Sequence, residues 1–260
     1  MKGIKNLTEG PILRQLFMLA MPIMATSFIQ MAYSLTDMAW VGRLGSEAVA
    51  SIGSVGLLTW MTSSIALLNK VGSEVSVGQS IGLRDETSAR SYATHNVTLS
   101  LVLSLIWASV LFVFATPIIG MYELEPHIAG NAVNYLRIVS SAFPFVFMSA
   151  TFTGIFNASG RSKIPFTINS IGLVINMLLD PLLIFVCDWT TAGAALATWI
   201  AQACVFGLFV YQLKARKILW ENFRFFGKLK RAYTTKIVKI GLPVATLNAL
   251  FAFVNMFLGR

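Results

Sequence analysis

The chain has 260 residues, of which 56% are hydrophobic and 12% are charged, and its mean hydropathy is +0.71. A soluble domain of this size carries about twice that charged fraction, so the composition excludes an ordinary soluble protein. The formal net charge is +9, but the basic residues fall between apolar segments rather than on one polar domain. We therefore expect a lipid bilayer as the partner of most of the chain, and no nucleic acid.

Apolar segments along the chain predict seven membrane-spanning helices, each near or above the ~20 residues that such a helix needs. These segments cover residues 12–36, 47–69, 92–119, 129–156, 164–187, 191–214 and 235–258. The amino-terminal residues include Lys2, Lys5 and Arg14 but no short apolar core followed by a small-residue cleavage site. We therefore expect the first helix to be retained.

The distribution of Lys and Arg among the connections predicts the orientation. The basic residues of the amino terminus, of the second-to-third connection with Lys70 and Arg84, and of the fourth-to-fifth connection with Lys163 all fall on one side. The connections on the other side are nearly free of basic residues apart from Arg43. A multi-pass protein of the cell inner (plasma) membrane with a cytoplasmic amino terminus is predicted.

Two polar connections divide the chain. Residues 73–90 are too polar to span and are predicted to form a short helix and turn at the cytoplasmic surface, with a solvated linker as the alternative. Residues 215–234 combine Lys and Arg with interleaved aromatic residues, which suits a basic amphipathic linker on the anionic cytoplasmic leaflet. We therefore expect a first six-helix lobe at 1–214 and the first helix of a second lobe at 235–260.

A short internal repeat supports two lobes. Lys239-Ile-Gly-Leu-Pro243-Val-Ala resembles Phe17-Met-Leu-Ala-Met-Pro22-Ile-Met-Ala, and Asn255-Met-Phe-Leu-Gly259-Arg260 resembles the stretch from Asp37 to Arg43 with gaps. Internal repeats are common in transporters. The fold class expected is an all-α polytopic membrane protein, with a six-helix lobe plus a seventh helix of a twelve-helix, two-lobe transporter whose second lobe is largely missing here.

Asp180 is the strongest functional candidate because it lies inside an apolar stretch long enough to span. An ionisable group at membrane depth costs about 2.5–3.5 kcal/mol on insertion scales and usually marks an ion or substrate pathway. Asn176 shares its helix face, and Pro181 is expected to loosen the turn before it and free a carbonyl oxygen. With Thr198 these are hard oxygen donors, which suit H⁺ or Na⁺ rather than zinc.

The first predicted helix carries a second acid, Asp37. Pro22 lies mid-span and is expected to bend this helix, and the alternative for Asp37 is a surface ion pair with Arg43. Further polar side chains are expected to line the same cavity; these are Gln30, Tyr33, Asn157 and Gln202. Asn157 and Asn176 could instead serve as hydrogen bonds between helices.

The sequence resembles the multidrug and toxic compound extrusion transporters over nearly its whole length. The matching stretches are Leu-Ala-Met-Pro22, Thr36-Asp37-Met-Ala-Trp-Val-Gly42-Arg43-Leu-Gly45, Gly78-Gln-Ser-Ile-Gly82, Phe156-Asn157-Ala-Ser-Gly160-Arg-Ser-Lys163-Ile-Pro165, Asn176-Met-Leu-Leu-Asp180-Pro181 and Gly193-Ala-Ala-Leu-Ala-Thr198. The resemblance implies two six-helix lobes that work by alternating access. It also implies export of organic cations, drugs or other amphipathic compounds against inward H⁺ or Na⁺ flow, with no further cofactor.

The resemblance also assigns residues. Asp37, Asn176, Asp180 and Thr198 match positions of the family's first-lobe H⁺ or Na⁺ site, Asn157 matches a polar cavity position, and Pro22 matches the bending proline. The complete protein is expected to be a monomer.

Two other classes of protein remain as alternatives. A flippase for lipids or lipid-linked sugars would need several Arg or Lys in its cavity, for which Arg137 is the main candidate within a span. A membrane enzyme would need a clustered catalytic set, and no such set is visible in the sequence, so we expect no enzyme.

Overall fold

The computed structural model describes residues 12–214 and 223–258, and these residues form helices and connecting turns. The helices are α1 (Ile12–Gly42), α2 (Ser46–Gly82), α3 (Glu86–Val113), α4 (Ala115–Gly120), α5 (Pro126–Ala158), α6 (Lys163–Pro181), α7 (Thr190–Lys214) and α8 (Arg231–Leu258). A π-helical segment, Leu182–Val186, continues α6. The predicted all-α fold is confirmed.

Six of the described helices are long and apolar enough to cross a membrane: α1, α2, α3, α5, α6 with its π-helical continuation, and α7. They correspond to the first six predicted spans. The third predicted span, 92–119, is divided at Phe114 between α3 and the short α4. The chain is therefore a multi-pass membrane protein, and α8 is a further helix whose passage through the membrane stays a prediction.

The helices pack around α5. In its most apolar window 67% of the residues are buried, against 6% in α1. Helix α5 contacts α2, α3 and α7, whereas α1 packs mainly along α6. The outward face of α1 carries exposed Leu, Met and Phe side chains such as Phe28 and Met31. Helix α1 is therefore held to the lobe mainly by α6, with smaller contacts to α2 and α7.

We call the side where α1 begins and α2 ends the amino-terminal side of the lobe. One hydrophobic cluster, with Val77, Phe152 and Phe156, lies towards this side, and a second cluster, with Val41 and Leu136, lies towards the opposite side. Aliphatic and aromatic side chains thus close both ends of the bundle. Polar side chains lie between the two clusters.

The connection predicted at 73–90 is largely helical. Helix α2 continues to Gly82, so the turn is confined to a few residues around Arg84, which adopts a φ of 60°. Small polar side chains permit this, because Ser76 and Ser80 donate hydrogen bonds to carbonyl oxygens of their own helix and need no water. The prediction of a separate short helix after residue 73 is therefore corrected.

The described part of the predicted linker at 215–234 packs on the helices of the lobe, whereas the sequence predicted a segment on the membrane surface. Residues 223–230 run beside α3, where Thr94 Oγ1 donates to the Arg224 carbonyl oxygen at 2.8 Å, and Phe225 packs against Phe152. Helix α8 begins at Arg231, four residues before the predicted boundary. The aromatic residues at 223 and 225 thus pack on the lobe, and residues 215–222 lie outside the described residues.

Candidate functional site

Asp180 and Asn176 form the buried core of the site. Both are fully buried, and Asn176 Nδ2 donates to Asp180 Oδ1 at 3.2 Å across one turn of α6. Asp180 Oδ2 and Asn176 Oδ1 are buried without a hydrogen-bond partner. Orphaned buried oxygens are rare in native structures and require an explanation.

Asp37 lies on the facing helix α1, close enough to Asp180 for its charge to act on that carboxylate. Its Oδ1 atom is also buried without a partner. Arg43, the alternative partner, instead lies over the Trp40 ring with Cζ 4.8 Å from the centroid. Among the described residues, no Lys or Arg forms an ion pair with either acid.

Two tyrosines flank the acids. Both carboxylates act electrostatically on Tyr33 and on Tyr135, and the Tyr33 hydroxyl approaches the side chains of Thr198 and Gln202. Tyr135 was not selected from the sequence, where a lone tyrosine in an apolar segment carries no distinguishing signal. We call Tyr33, Asp37, Tyr135, Asn176 and Asp180 the carboxylate cluster.

The turn after Asp180 is unusual. Pro181 ends α6, and the chain continues as a π-helix in which the Cys187 amide donates to the Leu182 carbonyl oxygen at 2.9 Å. Helix α6 is assigned up to Pro181, and the predicted loosening before Pro181, with its freed carbonyl oxygen, stays a prediction. A proline lacks the amide of the helical ladder, and the wider π turn takes up the change on its carboxyl side.

Helix α7 packs tightly against this π-helical segment. A Cβ atom on Gly193 would lie 2.6 Å from the Leu183 carbonyl oxygen, closer than real side chains approach. The glycine therefore permits backbone contact beside the carboxylate cluster. Gly193 begins one of the stretches that resemble the transporter family, Gly193-Ala-Ala-Leu-Ala-Thr198, and its small neighbours also allow close packing of α7.

Two cavities lie along α1. The first, of about 440 Å³, is lined by residues of α1, α2, α5, α6, α7 and α8, including Gln30, Tyr33, Lys70 and Gln202. We call it the Lys70 cavity. The second, of about 490 Å³, lies further along α1 and is lined by Asp37, Tyr135 and residues of α2; we call it the Asp37 cavity.

Three of the predicted cavity residues, Gln30, Tyr33 and Gln202, therefore line one space. Asn157 lies elsewhere: of the described residues, it lines neither cavity and donates from Nδ2 to Glu74 Oε1 at 2.8 Å. Hydropathy cannot show which face of a helix a polar residue occupies, and α5 turns Asn157 towards α2. The hydrogen bond to Glu74 agrees with the alternative role of Asn157 as a contact between helices, and its cavity-lining role stays a prediction.

Pro22 lies inside α1, which continues through it as one helix. The Thr26 hydroxyl donates to the Pro22 carbonyl oxygen at 2.8 Å. Asp37 is fifteen residues further along α1, which is about 22 Å at the helical rise. The proline therefore lies in the part of α1 remote from the carboxylate cluster.

Sequence reasoning placed Lys70 in a surface connection, whereas the structure places it inside α2 and on the cavity wall. Arg137, which the sequence offered as a basic residue for a flippase cavity, instead lines a separate groove with Phe112 and Trp199. The only basic side chain among the described residues that line either cavity is Lys70. This falls short of the several basic residues that a pyrophosphate-binding flippase would need.

Comparison with known proteins identifies relatives of the whole described chain. The family model described as MatE matches residues 22–182, which is more than half of the chain. The probable multidrug resistance protein YoeA of Bacillus subtilis is 26% identical over 96% of this chain and 58% of its own length. The probable multidrug resistance protein NorM of Thermotoga maritima is 24% identical, over 93% of this chain and 53% of its own.

The fold agrees with these relatives. A crystal structure of MATE in complex with MaD5 matches with a TM-score of 0.89 and 24% identity, and the match covers 99% of this chain and 58% of that one. The chain thus spans about half the length of the curated relatives it matches.

Proposed function

Since the chain belongs to the MatE family of multidrug efflux transporters, we propose that it forms one lobe of a cation-coupled exporter. The complete two-lobe protein exports organic cations, drugs or other amphipathic compounds across the cytoplasmic membrane by alternating access. Inward flow of H⁺ or Na⁺ drives the export. The amino terminus is cytoplasmic, the complete protein is a monomer, and no catalytic chemistry or further cofactor is involved.

The observation that carries this proposal is a pair of carboxylates, Asp180 fully buried and Asp37 half-buried, that have no basic partner among the described residues. Burying an unpaired charge is costly, so such groups either take up a proton or bind a cation. Asp180 Oδ2, Asn176 Oδ1 and Asp37 Oδ1 present three unpartnered oxygens from two facing helices. Carboxylate and amide oxygens suit H⁺ or Na⁺, and Thr198, beside Tyr33, would complete the oxygen set for Na⁺.

Coupling follows from the packing of α1. This helix packs mainly along α6, so the carboxylates of Asp37 and Asp180 face each other across that contact. Their mutual repulsion opposes close packing when both are charged, and neutralisation by a cation relieves it. Pro22 provides the bend that lets α1 move. Transport requires that the cation bind one conformation more tightly than the other, since equal affinity shifts no equilibrium.

The test is efflux of a fluorescent organic cation from pump-deficient cells that make the complete transporter. Wild type is compared with Asp180→Asn, and each is measured with a proton uncoupler and without sodium. We expect loss of efflux in the variant at equal amounts of membrane protein, and the sensitive condition will name the coupling ion.

The matched control is Asp188→Asn, because Asp188 is an exposed acid in the turn before α7. It should export like wild type. Normal efflux by Asp180→Asn would refute the coupling role, and no efflux by wild type would move the assignment to flipping of lipid-linked substrates. Loss of folded Asp180→Asn protein would make Asp180 structural, which is checked by its elution as a single species in detergent.

A further inference from the structure

We infer that the Lys70 cavity recognises a carboxylate group, so that amphipathic substrates with a carboxylate bind more tightly than organic cations that lack one. This inference rests on the proposed function and names the substrate class of the same lobe. It depends on four features of the structure: the place of Lys70, its lack of a partner, the engagement of Glu74 elsewhere, and the neutral walls of the cavity.

Lys70 lies within α2, twelve residues before its end at Gly82, which is about 18 Å along the helix. Its side chain is half-buried and lines the cavity beside Gln30 and Asn248. The backbone there packs closely against α5, because a Cβ on Gly154 would clash with the Lys70 carbonyl oxygen. The ammonium group is therefore presented from a rigid part of the lobe.

The ammonium group has no partner in the described part of the chain, where Lys70 forms no ion pair and no side-chain hydrogen bond. Glu74 would be the expected partner, since a residue four positions on shares the same helix face. However, Glu74 Oε1 accepts from Asn157 Nδ2 of α5 at 2.8 Å. Asn157 thus engages the acid that would otherwise neutralise Lys70.

The rest of the cavity wall is neutral. Among the described lining residues Lys70 alone carries a formal charge, and the others are apolar or are neutral polar side chains such as Asn169 and Gln202. Asp37 lines the other cavity, four residues beyond Tyr33 on α1, or about 6 Å along the helix. A simple organic cation would therefore meet repulsion from Lys70 and no carboxylate on this wall.

A carboxylate-bearing amphiphile fits the same wall. Its acid would accept a charge-assisted hydrogen bond from Lys70, and its apolar body would contact Ile29, Leu67 and Leu173. Ligand sites commonly combine apolar walls with a few polar groups that fix orientation. The alternative is that the Lys70 ammonium group only extends into water, as partly buried lysines often do. In that case the cavity would not prefer a ligand with a carboxylate over the same ligand without one.

The experiment compares tetramethylrhodamine, which has a free carboxylate, with its methyl ester, which does not. Binding of each dye to the complete transporter in phosphatidylcholine nanodiscs is followed by fluorescence anisotropy. We expect wild type to bind the free acid more tightly. Lys70→Gln should weaken acid binding about ten- to hundredfold, as expected for loss of a charge-assisted hydrogen bond, and should leave binding of the cationic ester at least as tight as in wild type.

Two variants serve as controls. Lys70→Arg should keep the preference for the acid, because it keeps the charge. Lys163→Gln should behave as wild type, since Lys163 is an exposed lysine at the start of α6 that lines neither cavity. Retained ester binding by Lys70→Gln also shows that this variant is folded.

Equal binding of the two dyes by wild type, no binding of either dye, or equal weakening of both by Lys70→Gln would overturn the inference. Loss of the preference in phosphatidylglycerol nanodiscs would assign Lys70 to a lipid headgroup and would also overturn it. A failure of the proposed function would look different. If the wild-type protein binds the acid dye through Lys70 but exports neither dye, export is refuted and carboxylate recognition is not.

Discussion

The carboxylate cluster and the Lys70 cavity lie on the same helix, α1, yet they carry opposite charge. The cluster joins two acids on α1 and α6 without a basic partner, whereas the cavity holds a lysine whose natural acidic partner is bound by α5. About two turns of helix separate Gln30 from Asp37. One lobe thus presents charges of opposite sign in two places, because Asn157 of α5 binds Glu74, the acid nearest to Lys70 on its helix face.

The largest expected effect separates the two regions by function. Asp37→Asn should reduce ion-coupled efflux to background, because it removes one of the two acids. It should keep the preference of the Lys70 cavity for the acid dye over its ester, because Lys70 itself is unchanged. Efflux in cells and anisotropy in nanodiscs measure the two properties on the same protein. A parallel loss of dye binding would show that the two regions act as one site.

Removing the Asn176 amide, which donates a hydrogen bond to Asp180, tests how much that buried hydrogen bond contributes to stability. Asn176→Ala should lower the free energy of unfolding by about 1.5–3 kcal/mol, because fully buried Asp180 loses the one side-chain donor that it has among the described residues. Thermal unfolding in detergent measures the change. The control variant is Asn169→Ala in the Lys70 cavity. The side-chain amide of Asn169 donates a hydrogen bond to the Pro165 carbonyl oxygen of its own helix. That variant should lose less stability, and an equal loss would contradict the difference in burial.

A packing change tests the rigidity of the Lys70 cavity. Gly154→Ala should destabilise the lobe by about 1–3 kcal/mol through overpacking, because the new Cβ meets the Lys70 backbone. It should also weaken acid-dye binding, because α2 moves. The dependence of efflux on the coupling ion should be the same as in wild type. Gly78→Ala is the control, since its Cβ would make ordinary contacts at 3.8 Å with Ala158. Equal stability of the two alanine variants would show that the α2–α5 contact is not tight.

The smallest expected effect lies outside both regions, at the start of α3. Hydrogen bonds from the side chain and the backbone amide of Ser88 hold the pKa of Asp85 below its ordinary value of 3.8. Because the pKa is lower in the folded state, the stabilisation is present above that ordinary value and is lost as the pH falls through the folded value. Asp85→Ala should therefore lower the Tm slightly at neutral pH, and the gap should close in acid.

Asp85→Asn keeps an acceptor for the Ser88 amide and should lose less than Asp85→Ala at neutral pH. Neither variant should alter efflux or dye binding. A change in either would show that the turn after α2 communicates with the two regions.

Much of the site could be predicted because charge inside an apolar segment is conspicuous. Asp180 interrupts a run of Leu and Ile, and Asn176 follows from helical spacing. The placement of Asp37 near Asp180 came from the family resemblance, and the structure brings the two carboxylates within electrostatic reach. The roles of these residues in coupling stay predictions until efflux is measured.

Lys70 was missed because hydropathy ends the second span at residue 69, just before a stretch rich in Ser and Gly. In the structure that stretch stays helical, since its hydroxyls bond to their own helix and its small residues fit against neighbouring helices. Asn157 was assigned to the cavity for a related reason: helical spacing gives a face, but not the neighbour that the face meets.

Local sequence was sufficient to predict a helical membrane protein, the start of most of its helices to within a few residues, and the burial of Asp180. These properties follow from local hydropathy and spacing, which act along the chain. Only the tertiary structure decided that Asn157 engages Glu74, that Lys70 is left unpaired on a cavity wall, and that Tyr135 joins the acids. Those outcomes depend on which helix faces which, and such contacts between distant residues are set by packing rather than by local composition.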